Sequence, residues 1–231
     1  MASTYTVQDA VQYVRAFVKN IPVSDVQVIA ADQVNAAIWR SYPWRWSMSA
    51  LTAIPLVDAT QDYGSAPTNY FRLVRARIVR TDTTPDQALE PLDIVNKIEP
   101  GFQVMTPYAI TLVAYEGHVD KFRLSAPAQV GSTDTWELRG EYQKQPTKLG
   151  STSAVFPFPD QYFEVVTTGL LWKFYDLVGD PRAGTAQANK RGGAAYTGML
   201  GKFMDEIYSM ASDEGYAAGD LIAPSESLMA E

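Results

Sequence analysis

One continuous stretch, residues 140–182, constrains the fold of this chain more than any other part. It reads GEYQKQPTKLGSTSAVFPFPDQYFEVVTTGLLWKFYDLVGDPR. The order of its signals predicts a strand that stops before Pro146, a loop, a helix that opens at the FPFPD sequence, and a helix end at Gly179. The helix is apolar and aromatic on two adjacent faces, so we expect it to be buried on most sides, with Trp172 or Phe174 fully buried. All of these signals concern structure, and none is catalytic.

The residues after that helix end predict a further helix. Asp180 and Pro181 suit its cap and its first position. Glycines weaken the helical pattern that follows, so we expect a break near residues 191–193. Apolar residues at helical spacing resume at Tyr196, and Gly215 is the expected helix end.

Two helices are predicted at the start of the chain. Thr6, with Asp9 three positions later, fits a helix start, and apolar residues then recur at helical spacing through Phe17. Ser24 and Gln27 form a capping-box pattern for a second helix, which we expect to reach about residue 40. The short link between the two helices favours an antiparallel hairpin.

Between residues 50 and 143 the apolar residues alternate with polar ones, which predicts β-strands. Turn signals separate the strands, so we expect an antiparallel sheet or a small sandwich. The predicted strands cover residues 70–80, where the apolar face shifts as in a bulge, and residues 108–115, 121–125 and 135–143.

These patterns together predict an α+β fold. Residues 1–48 and 156–213 are expected to form a helical bundle, with residues 49–155 inserted as an antiparallel β module. Residues 214–231 are expected to form an extended C-terminal tail, because their apolar residues are too sparse for a core of their own. Those isolated apolar residues are Tyr216, Leu221, Ile222, Leu228 and Met229.

The placement of charge excludes several classes of partner. The net charge is −7, and seven acidic residues but no Lys or Arg lie between residues 205 and 231. An acidic end argues against direct binding to duplex DNA, which needs cationic contacts to phosphates. The most apolar window, residues 165–178, is too short to span a bilayer and contains Lys173 and Asp176, so we expect no membrane partner.

The residues that usually carry catalysis or bind cofactors are scarce. The chain has no Cys and a single histidine, His118, which excludes Cys-ligated and His-rich metal sites. No nucleophile elbow, dinucleotide-binding or Walker A sequence is present. Glu137 and Glu141 share a predicted strand face, but about 13 Å of strand separates them, more than an inverting glycosidase uses. We therefore expect no catalytic residue, cofactor or metal, and keep a carboxylate-dependent hydrolase as the weaker alternative.

A cluster of tryptophans leaves another alternative open. Trp39, Trp44 and Trp46 lie close together beside Arg40 and Arg45, where the second helix gives way to extended chain. Such a cluster is typical of a packed junction or a subunit contact. It also fits a non-catalytic module that binds a glycan or a peptide by ring stacking and cation–π contacts.

Several short motifs resemble the head-to-tail adaptor proteins of tailed bacteriophages, the group that includes podovirus tail tubular protein A. They are the strand that runs into a Tyr…Pro stop at residues 142–146, the FPFPD sequence at 156–160, and the GDPRA sequence at 179–183. The PTNYFRL sequence at 67–73 is also similar, although Thr68 and Asn69 replace a Pro-Asp pair that the family often carries.

The resemblance implies a structural virion protein at the neck between head and tail, made in the host cytoplasm. Such adaptors form a ring, usually dodecameric, that binds the portal protein and presents a platform for tail tube or nozzle proteins. Double-stranded DNA passes through the ring without being bound tightly. Their tails commonly extend onto the portal, so the five apolar tail residues named above are the candidate docking residues. The candidate subunit or tail interface consists of Trp44, Trp46, Arg72, Arg75 and Arg77.

Overall fold

The computed structural model describes residues 4–98, 106–113, 120–131, 133–188 and 194–216. The chain forms two compact units, Met1–Trp46 with Pro146–Glu231, and Ser47–Gln145. The first unit is mainly helical and the second consists of strands, so the fold is mixed α+β, as the sequence predicts. No helix in the described ranges is both long enough and apolar enough to cross a bilayer.

The helical unit contains four α-helices within the described residues. A 3-10 turn, Asp160–Tyr162, precedes the third helix. The helices are α1 (Val7–Val14), α2 (Ser24–Ser41), α3 (Phe163–Leu177) and α4 (Gly198–Asp213).

The starts of α1 and α2 show one predicted cap and one that does not form. The Thr6 Oγ1 accepts a hydrogen bond from the Asp9 amide at 3.2 Å, and Asp9 Oδ2 accepts one from the Thr6 amide at 2.8 Å. The capping box predicted for Ser24 and Gln27 is wrong. The N-cap is Val23, which has no side-chain capping bond, and the Gln27 side chain donates to the Pro22 carbonyl at 2.6 Å.

Helix α3 is the most deeply buried element of the helical unit, and it contacts α1, α2 and α4. Phe174 has no exposed surface and Trp172 is 6% exposed, so the predicted burial is confirmed. Gly169 lets the neighbouring helices come close, because a Cβ at this position would lie 2.6 Å from Val34 on α2 and 2.8 Å from Phe203 on α4.

The chain after α3 differs from the predicted helix. Gly179 ends α3 with a φ of +65°, and Asp180 caps a 3-10 turn of only three residues, Pro181–Ala183. Gly184 then takes a φ of +82°, which a right-handed helix cannot continue. A short hairpin follows, β9 (Ala186–Ala188) and β10 (Ala194–Tyr196), and the predicted break at residues 191–193 lies outside the described residues.

The connection that returns from the strands to α3 lies in the helical unit, although the sequence analysis assigned residues 146–155 to the β module. Polar side chains of α2 explain this placement. The Asn35 side chain donates to the Thr147 carbonyl at 2.8 Å, and the Leu149 amide donates to Asp32 Oδ1, also at 2.8 Å. These bonds hold the loop against α2.

The second unit contains two four-stranded sheets, with strand orders β1-β8-β3-β4 and β2-β7-β6-β5. All pairs in them are antiparallel except β5 with β6, which is parallel and departs from the predicted antiparallel module. The strands are β1 (Met48–Pro55), β2 (Asp62–Ser65), β3 (Tyr70–Arg80), β4 (Gln87–Pro91), β5 (Asp93–Ile94), β6 (Ala109–Val113), β7 (Lys121–Leu124) and β8 (Trp136–Lys144).

One apolar core joins the two sheets. The pairing of β3 with β8 shifts register between Tyr70 and Arg72 and again between Leu73 and Arg75, which confirms the predicted bulge. Gly140 interrupts the apolar face of β8 because a Cβ there would lie 2.6 Å from the Arg75 carbonyl oxygen. The core contains Leu51, Leu73, Ile78, Leu138 and Tyr142 from one sheet and Tyr63, Ile110, Phe122 and Leu124 from the other.

The burial of α3 generates a stability prediction. We expect Phe174→Ala to lower the free energy of unfolding by about 3–5 kcal/mol, because the truncation leaves a cavity in the core. Leu177→Ala is the matched control, since this side chain of the same helix is 55% exposed. The control should change stability by less than about 1 kcal/mol in urea unfolding. Equal effects of the two variants would contradict the described packing.

The close approach at Gly169 generates a second prediction. Replacing a helical Gly by Ala ordinarily stabilises a protein by about 1 kcal/mol. We expect Gly169→Ala to be destabilising instead, because the new Cβ meets Val34 and Phe203, and overpacking costs about 1–3 kcal/mol. Gly150→Ala, where nothing lies within 4 Å, is the control. A higher melting temperature for Gly169→Ala would show that the helices are not in this contact.

Candidate interaction surfaces

The tryptophans predicted at the junction form a packed cluster. Trp44 has no exposed surface, and its indole nitrogen donates to the Ile38 carbonyl at 2.6 Å. The ring centroids of Trp44 and Trp46 are 5.9 Å apart and nearly parallel, and those of Trp39 and Trp46 are 4.9 Å apart, edge to face. We call this cluster the aromatic junction; it consists of Trp39, Tyr42, Trp44, Trp46, Phe158 and Tyr216.

Tyr216, the first of the predicted docking residues, belongs to this junction. Its hydroxyl donates to the Pro43 carbonyl at 2.6 Å, and its ring lies 5.6 Å from Tyr42 and 5.9 Å from Trp44. The start of the tail is therefore anchored on the helical unit itself. The other four predicted docking residues lie outside the described residues: Leu221, Ile222, Leu228 and Met229.

Burial decides what the tryptophans can contact. A glycan platform needs exposed ring faces, but Trp39 is 3% exposed and Trp44 is fully buried. Trp46 is half-buried and packs on Phe158, with ring centroids 5.8 Å apart. The geometry therefore favours a packed junction over ring stacking with a glycan or a peptide. Any effect of Trp44 on a subunit contact would act through the residues around it.

The arginines predicted at the interface occupy two different environments on β3. Arg72 is half-buried, with its guanidinium 5.4 Å above the Phe71 ring. Arg75 and Arg77 are exposed and lie on the outer face of the sheet, opposite Glu141 and Arg139 of β8.

We define the charged sheet face by Arg75, Arg77, Asp86, Glu137, Arg139 and Glu141. Arg75 pairs with Glu141 at 2.6 Å, and Arg139 pairs with both Asp86 and Glu137 at 2.9 Å. Like charges opposite each other on a sheet are unfavourable, so the two carboxylates beside Arg139 offset its repulsion with Arg77. Arg77 makes no ion pair with any residue in the described part of the chain, which leaves its charge available to a partner.

Arg80, the last residue of β3, is already paired with carboxylates of its own chain. Arg80 binds Asp82 through two hydrogen bonds of 2.7 and 2.8 Å and contacts Asp134 at 2.8 Å. The guanidinium of Arg80 holds the pKa of the Asp82 carboxyl below its usual range, chiefly through these hydrogen bonds. Two carboxylates pair with this one guanidinium, so Arg80 is a poorer partner for carboxylates of another subunit than Arg77 is.

The two carboxylates considered for hydrolysis, Glu137 and Glu141, both form ion pairs with arginines. Glu141 pairs with Arg75 and Glu137 pairs with Arg139, and both lie on the charged sheet face. A depression of about 560 Å³ lies elsewhere in the β unit, lined by Asp58, Ala59 and residues 127–131. It contains one carboxylate, Asp58, which accepts a hydrogen bond from the Val130 amide at 3.0 Å. Neither the charged sheet face nor this depression places a pair of carboxylates around a cleft.

Within the described residues, no group of three or more acidic or histidine side chains is arranged to hold a metal ion. His118 lies outside those residues.

Sequence reasoning missed an exposed aromatic surface on the helical unit. It placed Phe17 on the buried face of the first helix, but α1 ends at Val14 and Phe17 is 52% exposed. The ring of Phe163 stacks on Tyr5 at 4.0 Å and lies 6.4 Å from Tyr13, which is 6.0 Å from Phe17. We call these four residues the α1–α3 aromatic surface. The unbroken series of aromatic rings appears only when the start of α3 meets α1.

Comparison with known proteins identifies the family. A family model described as SU10 adaptor protein matches residues 5–220, which include both structural units. A comparison with curated proteins returned no match. The match confirms the resemblance to phage head–tail adaptors, whereas the likeness to podovirus tail tubular protein A in particular stays a prediction. The chain therefore belongs to the SU10 adaptor protein family, a family of structural adaptors in bacteriophage virions.

Proposed function

We propose that this protein forms a closed ring, expected to be a dodecamer, that joins the portal of the capsid to the tail. The family match over both units is the observation that carries this proposal. The ring binds the portal protein on one side and tail tube or nozzle proteins on the other. The role is structural, without a catalytic step, a cofactor or a metal.

A closed ring needs head-to-tail contacts between two different surfaces of the subunit. The charged sheet face suits one of them, because Arg77 is exposed and lacks an intramolecular ion pair among the described residues. Arg75 supports the same contact, since its side chain is 69% exposed despite its bond to Glu141. We propose that these two arginines meet carboxylates of a neighbouring subunit or of a tail protein.

The C-terminal tail is the proposed portal contact. Tyr216, at the start of the tail, is held on the helical unit through its bond to the Pro43 carbonyl. Beyond it, apolar residues alternate with acidic ones and no basic residue occurs. Ordering such a segment costs about 1–2 kcal/mol per residue in backbone entropy, so burial of its apolar side chains on the portal must supply that energy.

The proposed passage of DNA agrees with the charge of the subunit. A lumen through which duplex DNA slides should not hold its phosphates, since each cationic contact would add affinity. The net charge of −7 and the absence of Lys and Arg after residue 204 are suited to that requirement.

The ring itself is tested by light scattering and negative-stain microscopy of the purified protein, alone and with its portal. We expect a closed ring whose mass is a multiple of 25.5 kDa. A species that stays monomeric or dimeric both alone and with the portal would contradict the proposal, and would favour a small binding module instead.

The charged sheet face generates a separate prediction. We expect the double variant Arg75→Glu/Arg77→Glu to weaken ring assembly by roughly three- to tenfold and to change its salt dependence, because exposed ion pairs contribute about 0–1 kcal/mol each. Its melting temperature should stay close to that of the parent. Lys148→Glu, an exposed charge reversal in the helical unit, is the control. Assembly that responds equally to the two changes would exclude a specific role for this face.

The tail generates a prediction about portal binding. We expect deletion of residues 224–231 to leave the fold intact and to weaken portal binding by about tenfold or more, because burial of Leu228 and Met229 contributes roughly 1.5–3 kcal/mol each. The variant Glu226→Gln/Glu231→Gln keeps the apolar residues and separates their effect from that of charge. Binding of the truncated protein with full affinity, measured by calorimetry, would show that the tail is not the portal contact.

A further inference from the structure

Three of the four residues in the α1–α3 aromatic surface, Tyr5, Tyr13 and Phe17, are exposed. Tyr13 is 55% exposed and Phe17 is 52% exposed, although both rings are apolar and contact each other. Phe163 joins them to Tyr5, so the four rings form one continuous surface. Contiguous exposed apolar surface of this kind marks a site of interaction.

The charges beside this surface favour an acidic partner. Arg15 and Lys19 are exposed in the same segment as Tyr13 and Phe17, and neither forms an ion pair within the described ranges. Among the nearby carboxylates, Asp9 and Asp160 accept hydrogen bonds from Thr6 and Thr4, and Glu164 is exposed beside Phe163. Asp9, the one carboxylate of α1, is thus used in its cap, while Arg15 and Lys19, which follow the helix, remain available.

The described part of the chain ends beside the start of α3. At the end of α4, Glu214 accepts a hydrogen bond from the Tyr162 hydroxyl at 2.9 Å. Tyr162 directly precedes Phe163, the ring at the centre of the aromatic surface. The last described residue, Tyr216, follows Glu214 by two positions and packs in the aromatic junction.

The composition of residues 217–231 matches what the surface would accept. The segment reads AAGDLIAPSESLMAE, with acidic residues between apolar ones and no Lys or Arg. Fifteen residues reach at most about 50 Å when extended, and the first apolar pair, Leu221 and Ile222, lies within about 20 Å of Tyr216. The segment is therefore long enough to fold back onto the helical unit from which it starts.

We propose that the α1–α3 aromatic surface binds residues 217–231 of its own chain before assembly. Apolar side chains of the segment cover Tyr13 and Phe17, and its carboxylates lie beside Arg15 and Lys19. A short tether gives such a segment a local concentration of roughly millimolar, so a weak contact suffices.

The bound segment would be withheld from other partners until they compete for it. This consequence rests on the proposed function, because it makes the tail less available to the portal in the free subunit. The contact with the aromatic surface does not depend on that function, and the two are tested by different measurements.

Hydrogen exchange of the full chain, compared with a chain lacking residues 217–231, tests the contact without any portal. We expect the amides of residues 10–19 to exchange roughly two- to tenfold more slowly in the full chain, independently of protein concentration. Equal exchange rates in the two proteins would overturn the proposal. Protection that increases with concentration would also overturn it, since the occupant would then be a second copy.

A surface variant provides the reciprocal test. We expect Tyr13→Ser/Phe17→Ser to raise the exchange of residues 217–231 to the rate of a free peptide of the same sequence. Val23→Ser, at a side chain 71% exposed on the same unit, is the control and should leave that exchange unchanged. A tail that already exchanges like the free peptide in the parent protein would contradict the proposal, whatever the variants do. That result would leave the proposed function untouched, because the proposed function is tested by measuring the affinity for the portal.

Discussion

The contact of α3 with the other three helices described here is the constraint on which the helical unit depends. It requires a helix that is apolar on nearly every side and a residue without a side chain where two neighbours meet. Gly169 fulfils the second requirement, between Val34 and Phe203. Removing α3 would expose the apolar faces of α1, α2 and α4 together, so those helices have no separate core on which to fold.

Helix α2 has a second role, because it anchors both connections between the helical unit and the inserted strands. On the way out, the Trp44 indole binds the Ile38 carbonyl. On the way back, Asn35 and Asp32 bind the loop at residues 147 and 149. Tyr216 packs on Trp44 in the outgoing connection. Helix α2 therefore supports the start of the tail as well as both connections to the strands. In the proposed function, this anchoring fixes where the portal-binding tail begins.

Periodicity predicted most elements well where local signals and burial agree. The strand Tyr70–Arg80 and its bulge, the capped start of α1 and the ends of α3 and α4 follow from alternation, a cap or a glycine. The failures occurred where two local signals compete. Asp180-Pro181 opens a helix in sequence, but the left-handed conformation of Gly184 limits it to one turn. Among the candidate site residues, the sequence identified the exposed Arg75 and Arg77 but did not distinguish them from the half-buried Arg72.

The sequence by itself determined the α+β class, the buried aromatic helix, the acidic C-terminal end and the adaptor family, because each depends on residue order or composition. Only the tertiary structure decided which aromatic rings are buried and which remain exposed. Trp44 and Phe17 look equally suited to a core in sequence, yet one is fully buried and the other is half exposed. The physical reason is that burial depends on neighbours distant along the chain: Tyr216 and Phe158 lie in the cluster around Trp44, whereas no described element covers the outer side of Phe17.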